Sequence, residues 1–168
     1  MQTKIIVTGP ESSGKTTLCS KLSKHFNVPY INEYARSYIN KINRKYNKSD
    51  LINIAKGQLV QEQKNEDILI CDTDLITIKI WSEYKYGDCD NWIIQRIKDQ
   101  RKENRYYLLC KHDIPWEADH QRENPEDREE IFNLYKCELK NNGIPYHLIE
   151  GENRTEEAIK KINSIINI

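Results

Sequence analysis

Residues 4–16 read Lys4-Ile5-Ile6-Val7-Thr8-Gly9-Pro10-Glu11-Ser12-Ser13-Gly14-Lys15-Thr16, an apolar β-branched run that breaks into a glycine-framed loop. Positions 9–16 fit the phosphate-loop pattern G-x-x-x-x-G-K-[ST] without a mismatch, and the pattern has a mechanism. Gly9 and Gly14 let the backbone wrap closely enough for its N–H groups, through Glu11, Ser12 and Ser13, to cradle phosphate oxygens. Lys15 brings a point charge to the β- and γ-phosphates, Thr16 offers a hydroxyl to Mg²⁺, and Thr17 continues the cradle. Leu18, Leu22 and Phe26 follow at four-residue spacing, so a helix begins just after the loop and aims its N-terminal dipole at the anion.

Outward from this stretch, strand and helix patterns alternate. Strands are expected at 4–8, 29–32, 68–72, 105–110 and 145–149. Leu51, Ile54, Ala55, Gln58 and Leu59 mark one helix face over about 50–65, and Leu75, Ile78 and Trp81 another after the third strand. Asn124-Pro125 reads as N-cap plus first-turn proline of a helix carrying Phe132, Tyr135 and Leu139. Asn153 and Glu156 open a last helix with Ile159, Ile162 and Ile166. Repeated βα units of this length imply an α/β fold, a parallel sheet covered on both faces. At 168 residues the chain reads as a single domain over 1–168. Residues 111–124, the most polar connection, are long for a plain turn and read as a lid-like loop.

The 26 basic and 26 acidic residues cancel, so no global field draws in nucleic acid or a membrane surface. No apolar run reaches the roughly 18 residues of a membrane span, and no signal peptide is evident. Five cysteines without a C-x-x-C pair argue against a metal site or disulfide framework and fit a reducing cytoplasmic setting.

A phosphate loop alone does not say what becomes of the nucleotide, so the strand-end acids carry the next step. In an open parallel sheet, ligands gather beyond the carboxyl ends of the strands. Asp72 ends the third strand and is placed to hold Mg²⁺ together with Thr16; Asp74 either joins the substrate or caps the next helix. Glu33 ends the second strand, where a base would accept the proton of an attacking hydroxyl. Arg36, one turn on, pairs with Glu33 or a substrate oxygen. Arg122 and Arg128, around the end of the loop, would neutralise a transferring phosphoryl group. Trp116 would close over a substrate ring or pin the loop. Asn47-Lys48-Ser49-Asp50 matches the guanine-specificity letters N-K-x-D but precedes a helix instead of following a late strand. It reads as a coincidence, with Ser49 or Asp50 as a cap.

Gly-Pro-Glu-Ser-Ser-Gly-Lys-Thr at 9–16, Glu33-Tyr34-x-Arg36, Gly57-Gln58, Asp72-Thr73-Asp74 and the Trp-containing loop, in this order, resemble the NadR-type ribosylnicotinamide kinase family over nearly the whole chain. The resemblance implies a three-layer P-loop kinase fold with strand order 2-3-1-4-5 and a lid after strand four. It implies ATP and Mg²⁺ as cofactors and phosphorylation of the 5′-hydroxyl of nicotinamide riboside, with Lys15, Glu33, Asp74, Arg122 and Arg128 as catalytic residues. Tyr34, Arg36, Gln58, Asp72, Asp74 and Trp116 would contact the substrate, and Asn153 the nucleotide. Another nucleoside or a nucleoside monophosphate as acceptor stays open at this point, as does an NTP-hydrolysing regulatory module. The adenylyltransferase and DNA-binding segments of the bifunctional family members are not recognisable in these residues.

Overall fold

The structure is a computed structural model and describes residues 2–166. Strand β1 (Thr3–Thr8) leads through the phosphate loop into α1 (Lys15–Phe26), then β2 (Tyr30–Ile31), α2 (Tyr34–Ile42) and α3 (Lys48–Gln61). Strand β3 (Ile68–Asp72) is followed by α4 (Leu75–Tyr86) and α5 (Asn91–Gln100). Strand β4 (Asn104–Cys110), α6 (Arg128–Asn141), β5 (Tyr146–Ile149) and α7 (Arg154–Ile166) complete the chain. The five strands form one parallel sheet in the order β2-β3-β1-β4-β5. The strand order, the parallel sheet and its coverage by helices are as the sequence and its resemblance implied.

The alternation of side chains along β1 explains why both faces need helices. Ile6 points into a core with Leu51, Ile54, Leu75, Ile76, Ile93 and Phe132, supplied by α3, α4, α5 and α6. Its neighbours Ile5 and Val7 point the other way, onto Leu18, Leu22, Ala158 and Ile162 of α1 and α7. A strand buried on both faces reads as a continuous apolar run, and Ile5-Ile6-Val7 is that run. Register then aligns the functional ends: Val7 lies beside Asp72 on one side and Leu108 on the other. The phosphate loop, the end of β3 and the end of β4 therefore open onto one edge of the sheet.

Two local expectations are corrected. Helix α6 begins at Arg128 behind Asp127, not at Asn124-Pro125, so the irregular segment runs over 111–127. The Asn124 N–H instead donates to Glu11 Oε2 at 3.0 Å, which ties this stretch to the phosphate loop. In the second case the cap of α3 is Asn47, whose side chain accepts from Ser49 N–H at 3.0 Å while Asp50 returns a bond to Asn47 N–H at 2.8 Å. This capping box accounts for the N-K-x-D letters without any base recognition.

Candidate active site

The phosphate loop has the backbone that its sequence calls for. Gly9 has φ +138°, and a Cβ there would sit 2.5 Å from the Cys110 carbonyl oxygen of β4. Ser12 and Gly14 take left-handed conformations that curl the loop around its own centre. Lys15 Nζ donates to the Pro10 carbonyl at 2.7 Å, which holds its charge over the loop. The cleft beside the loop is lined by residues 9–17, by Glu33, Ala35, Arg36 and Ile39 of the β2–α2 region, and by Thr77, Ile80, Trp81 and Tyr84 of α4. Ile114, Glu117, Gln121, Arg122 and Asn124 of the lid and Ile131 and Tyr135 of α6 complete it.

Thr16 and Asp72 meet as expected: the Thr16 hydroxyl donates to Asp72 Oδ2 at 2.6 Å. Asp72 Oδ1 is buried without a hydrogen-bond partner. A buried carboxylate with one oxygen free, next to a hydroxyl at a helix N-terminus, is the donor set that a phosphate-bound Mg²⁺ takes. Burial raises the Asp72 carboxyl above its ordinary value, and Lys15, the Thr16 hydroxyl and Arg36 act against that rise.

Glu33 stands at the cleft mouth, at the start of α2. Arg36 Nε lies 3.6 Å from its carboxylate and also holds Asp119 of the lid at 3.1 Å. Burial and the nearby Asp72 raise the Glu33 carboxyl, while Lys15 and Arg36 pull it down. A carboxylate whose proton affinity is lifted toward neutrality is a better proton acceptor than a free glutamate.

Asp74 is corrected. It is fully buried, caps α4 by accepting from Ile76 N–H at 3.0 Å, accepts from the Tyr107 hydroxyl at 2.6 Å and lies 3.6 Å from Arg105. Residues two apart in a strand share a face, but Thr73 between them has φ +69° and turns the backbone, so Asp72 meets Thr16 and Asp74 faces into the core. It belongs to a buried ion-pair network with Arg105 and Glu62, not to the cleft.

Gln58, Tyr34, Trp116 and Asn153 do not line the cleft. Gln58 is buried and accepts from Tyr34 N–H at 3.0 Å, so it fixes the start of α2 instead of pairing with a ligand. The Tyr34 ring lies over Gly57 of α3, outside the cleft lining. Trp116 packs under Arg128, whose guanidinium carbon is 5.6 Å from the ring centroid. Asn153 is exposed and outside the lining, although its neighbour Arg154 donates to the Ser13 carbonyl at 3.0 Å. Of the two arginines proposed for charge neutralisation, Arg122 lines the cleft. Arg128 instead donates to the Ser12 and Ile114 carbonyls at 3.1 and 2.9 Å.

Some lining residues went unread in the sequence. Thr77, Ile80 and Tyr84 share with Trp81 the i, i+3, i+4, i+7 stripe of α4, but a stripe that faces a cleft has the same period as one that faces a core. Tyr135 belongs to the core and also lines the cleft, where its hydroxyl donates to Thr77 Oγ1 at 3.1 Å. Among the described residues no helix is long and apolar enough to cross a membrane.

Comparison with known proteins agrees with this architecture. The Trifunctional NAD biosynthesis/regulator protein NadR of Escherichia coli (strain K12) is 29% identical over 171 residues, covering 96% of this chain and 41% of that protein. The protein of the same description from Salmonella typhimurium is 28% identical, covering 88% and 38%. The chain thus spans about two fifths of the length of these curated relatives. Among solved structures, NadR protein in complex with NR superposes with a TM-score of 0.74 at 20% identity, over 97% of this chain and 50% of that one. Deoxyadenosine kinase from M. mycoides superposes with a TM-score of 0.67 at 17% identity, over 96% and 99%. The NadR resemblance drawn from the motifs is borne out by these relatives. The sequence profile described as AAA domain matches residues 4–157, nearly the whole chain including the phosphate loop, Glu33 and Asp72, and the chain belongs to that family of P-loop proteins.

Proposed function

We propose that this protein is an ATP-dependent kinase that phosphorylates the 5′-hydroxyl of nicotinamide riboside to give nicotinamide mononucleotide. The observation that carries the reading is the placement of Glu33 in one cleft with the phosphate loop, Lys15 and the Thr16–Asp72 pair. The same cleft also presents Trp81, Tyr84 and Tyr135 beside the phosphate loop, aromatic side chains that suit an acceptor ring. The curated relatives, described as NAD biosynthesis proteins, and the solved NadR protein in complex with NR support the nucleoside's identity, as does the chemistry of that part of the cleft. A pyridinium cation is held by aromatic faces, at about 0.5–2 kcal/mol per contact, and by carboxylates at the rim, where Glu33 and Glu117 lie.

In this reading the loop N–H groups and Lys15 hold the triphosphate of ATP, and Thr16 and Asp72 hold Mg²⁺. When bound, that ion neutralises charge on the β- and γ-phosphate oxygens. Glu33 orients the acceptor hydroxyl and takes its proton as the oxygen–phosphorus bond forms and the bond from γ-phosphorus to the β-bridging oxygen breaks, with ADP leaving. Arg122, on the lid, faces the negative charge that spreads over the transferring group. The lid excludes water, which directs transfer to the nucleoside.

The test is turnover of ATP–Mg²⁺ across nicotinamide riboside, ordinary nucleosides and nucleoside monophosphates. Transfer to nicotinamide riboside that disappears in Lys15→Ala is expected. ADP release that no acceptor changes would overturn the kinase reading, and a preference for another nucleoside would keep the chemistry and replace the substrate.

A further inference from the structure

Three residues that do not line the cleft join its two halves. Glu123 of the lid donates its backbone N–H to Glu11 Oε2 of the phosphate loop at 3.0 Å, and Asn124 N–H donates to the same oxygen at 3.0 Å. The Glu123 side chain reaches the opposite way. Its Oε2 accepts from the Tyr46 hydroxyl at 2.8 Å, and both of its oxygens accept from Lys85 Nζ at 3.0 Å. Tyr46, in the loop between α2 and α3, in turn accepts from the indole N–H of Trp81 at 3.0 Å. Its ring meets the Trp81 ring edge-on, with centroids 4.8 Å apart, and Lys85 Nζ lies 4.1 Å from the centroid of the Tyr46 ring. Trp81 of α4 and Glu11 of the phosphate loop both line the cleft, and in the kinase reading they belong to its acceptor and donor halves.

The arrangement is unusual for surface charges. Exposed ion pairs contribute little to stability, and Glu123 and Lys85 are both well exposed. Here, though, one residue has its backbone on the loop that grips phosphate and its side chain on the group that orients the aromatic wall. We infer that Glu123, acting through Tyr46 and Lys85, is a positioning residue that couples the phosphate loop to Trp81, so that nucleotide on the donor side sets the aromatic wall on the acceptor side. The inference rests on the kinase reading for the chemistry of the two halves, but the coupling itself can be measured without phosphoryl transfer. By linkage the two ligands must tighten each other by the same factor.

The experiment follows the three tryptophan indole N–H signals by NMR in the full chain, with the Trp81 signal assigned through Trp81→Phe. On adding AMP-PNP with Mg²⁺, the Trp81 signal is expected to move in the wild-type protein. It is expected to stay in place in Glu123→Gln and in Tyr46→Phe, although both variants still bind AMP-PNP. Unchanged Trp92 and Trp116 signals in the variants report an intact fold. Calorimetry of AMP-PNP with and without nicotinamide riboside should give about tenfold mutual tightening in the wild type, a size ordinary for coupled sites, and close to none in the variants. In turnover, the variants should raise KM for nicotinamide riboside more than they lower kcat. A Trp81 signal that ignores bound AMP-PNP, or moves equally in wild type and variants, overturns the inference. If AMP-PNP moves Trp81 but no acceptor is phosphorylated, the kinase reading falls and the coupling stands. Failure of AMP-PNP to bind would remove both.

Discussion

Gly57→Ala isolates one contact that holds the base of the cleft in place. Gly57 lies inside α3, where alanine is intrinsically preferred over glycine by about 1 kcal/mol, so propensity alone predicts a more stable protein. The structure predicts the reverse. A Cβ at this position would sit 2.0, 2.3 and 2.4 Å from three ring atoms of Tyr34, well inside van der Waals contact. The Tyr34 main chain is held by Gln58, on the same helix as Gly57, and its ring packs against the core beside Tyr38, so moving aside costs contacts. Overpacking of this kind costs about 1–3 kcal/mol. Subtracting the propensity gain leaves a net loss of about 1 kcal/mol, or about 2–4 °C in Tm for a domain of this size. Chemical denaturation of Gly57→Ala, Tyr34→Ala and the double variant forms a thermodynamic cycle. With the Tyr34 ring removed, the alanine should reveal its helix preference, and Gly57→Ala should become stabilising. Tyr34 directly follows Glu33, so the single variant should also lower kcat by about tenfold through misplacement of the base, more than the stability loss would suggest. A stabilising Gly57→Ala in the wild-type background, or the same effect with and without the Tyr34 ring, would refute the reasoning.

Asp74→Ala removes a carboxylate from a buried network and leaves Arg105 and the Tyr107 hydroxyl short of a partner; a loss of about 3–5 kcal/mol is expected by thermal or denaturant unfolding. A variant with unchanged stability but no phosphoryl transfer would return Asp74 to the catalytic machinery. The pH dependence of kcat/KM tests Glu33. Its carboxyl is raised from the ordinary 4.5 by burial and Asp72, and a base works only when deprotonated. Activity should therefore be present above that raised value and lost as pH falls through it, giving an acid limb above pH 4.5 that Glu33→Gln abolishes together with most of the rate. Arg128→Ala removes two bonds to loop carbonyls and should raise KM for ATP by about tenfold with a smaller change in kcat, a steady-state pattern that separates binding from transition-state loss.

The fold was legible because its signals are local and redundant. Ile5-Ile6-Val7 announces a doubly covered strand, and the glycine loop after it admits few continuations. Elements whose definition depends on distant partners were harder to read. Strand β2 has only two residues, since only Tyr30 and Ile31 pair with β3. The Asn124-Pro125 start expected for α6 is instead part of an irregular segment tied to Glu11, a tertiary contact seen nowhere in the local sequence. In the site, Thr16 could be placed from the phosphate-loop pattern, and Asp72 and Glu33 from strand ends. For Asp74 the capping alternative was legible, but its turn away from the cleft was not, because that depends on the left-handed backbone of Thr73, and threonine gives no warning of a positive φ. The cleft stripe on α4 was hidden for a different reason: helical periodicity reports which side of a helix is apolar, not whether that side meets a core or a ligand chamber.

The arginines show how the anion cradle keeps its shape. Around the loop, the Pro10 carbonyl accepts from Ser13 Oγ and Lys15 Nζ, each at 2.7 Å, the Ser12 carbonyl from Arg128 at 3.1 Å, and the Ser13 carbonyl from Arg154 at 3.0 Å. The Gly14 carbonyl accepts from Leu18 N–H at 3.0 Å as the first turn of α1 closes. In a trans peptide the carbonyl and the following N–H point in opposite directions. Drawing the carbonyls of Ser12, Ser13 and Gly14 toward α6, α7 and the helix therefore turns the N–H groups of Ser13, Gly14 and Lys15 the other way, toward the centre of the loop. Arg128 and Arg154 thus act on the peptide planes that do the gripping, one from each side of the sheet, and neither needs to touch a phosphate. This division of labour also explains why α6 and α7 converge with their first residues on so short a loop. Each supplies one guanidinium to orient one peptide, while Arg122 is the lid arginine left facing the cleft.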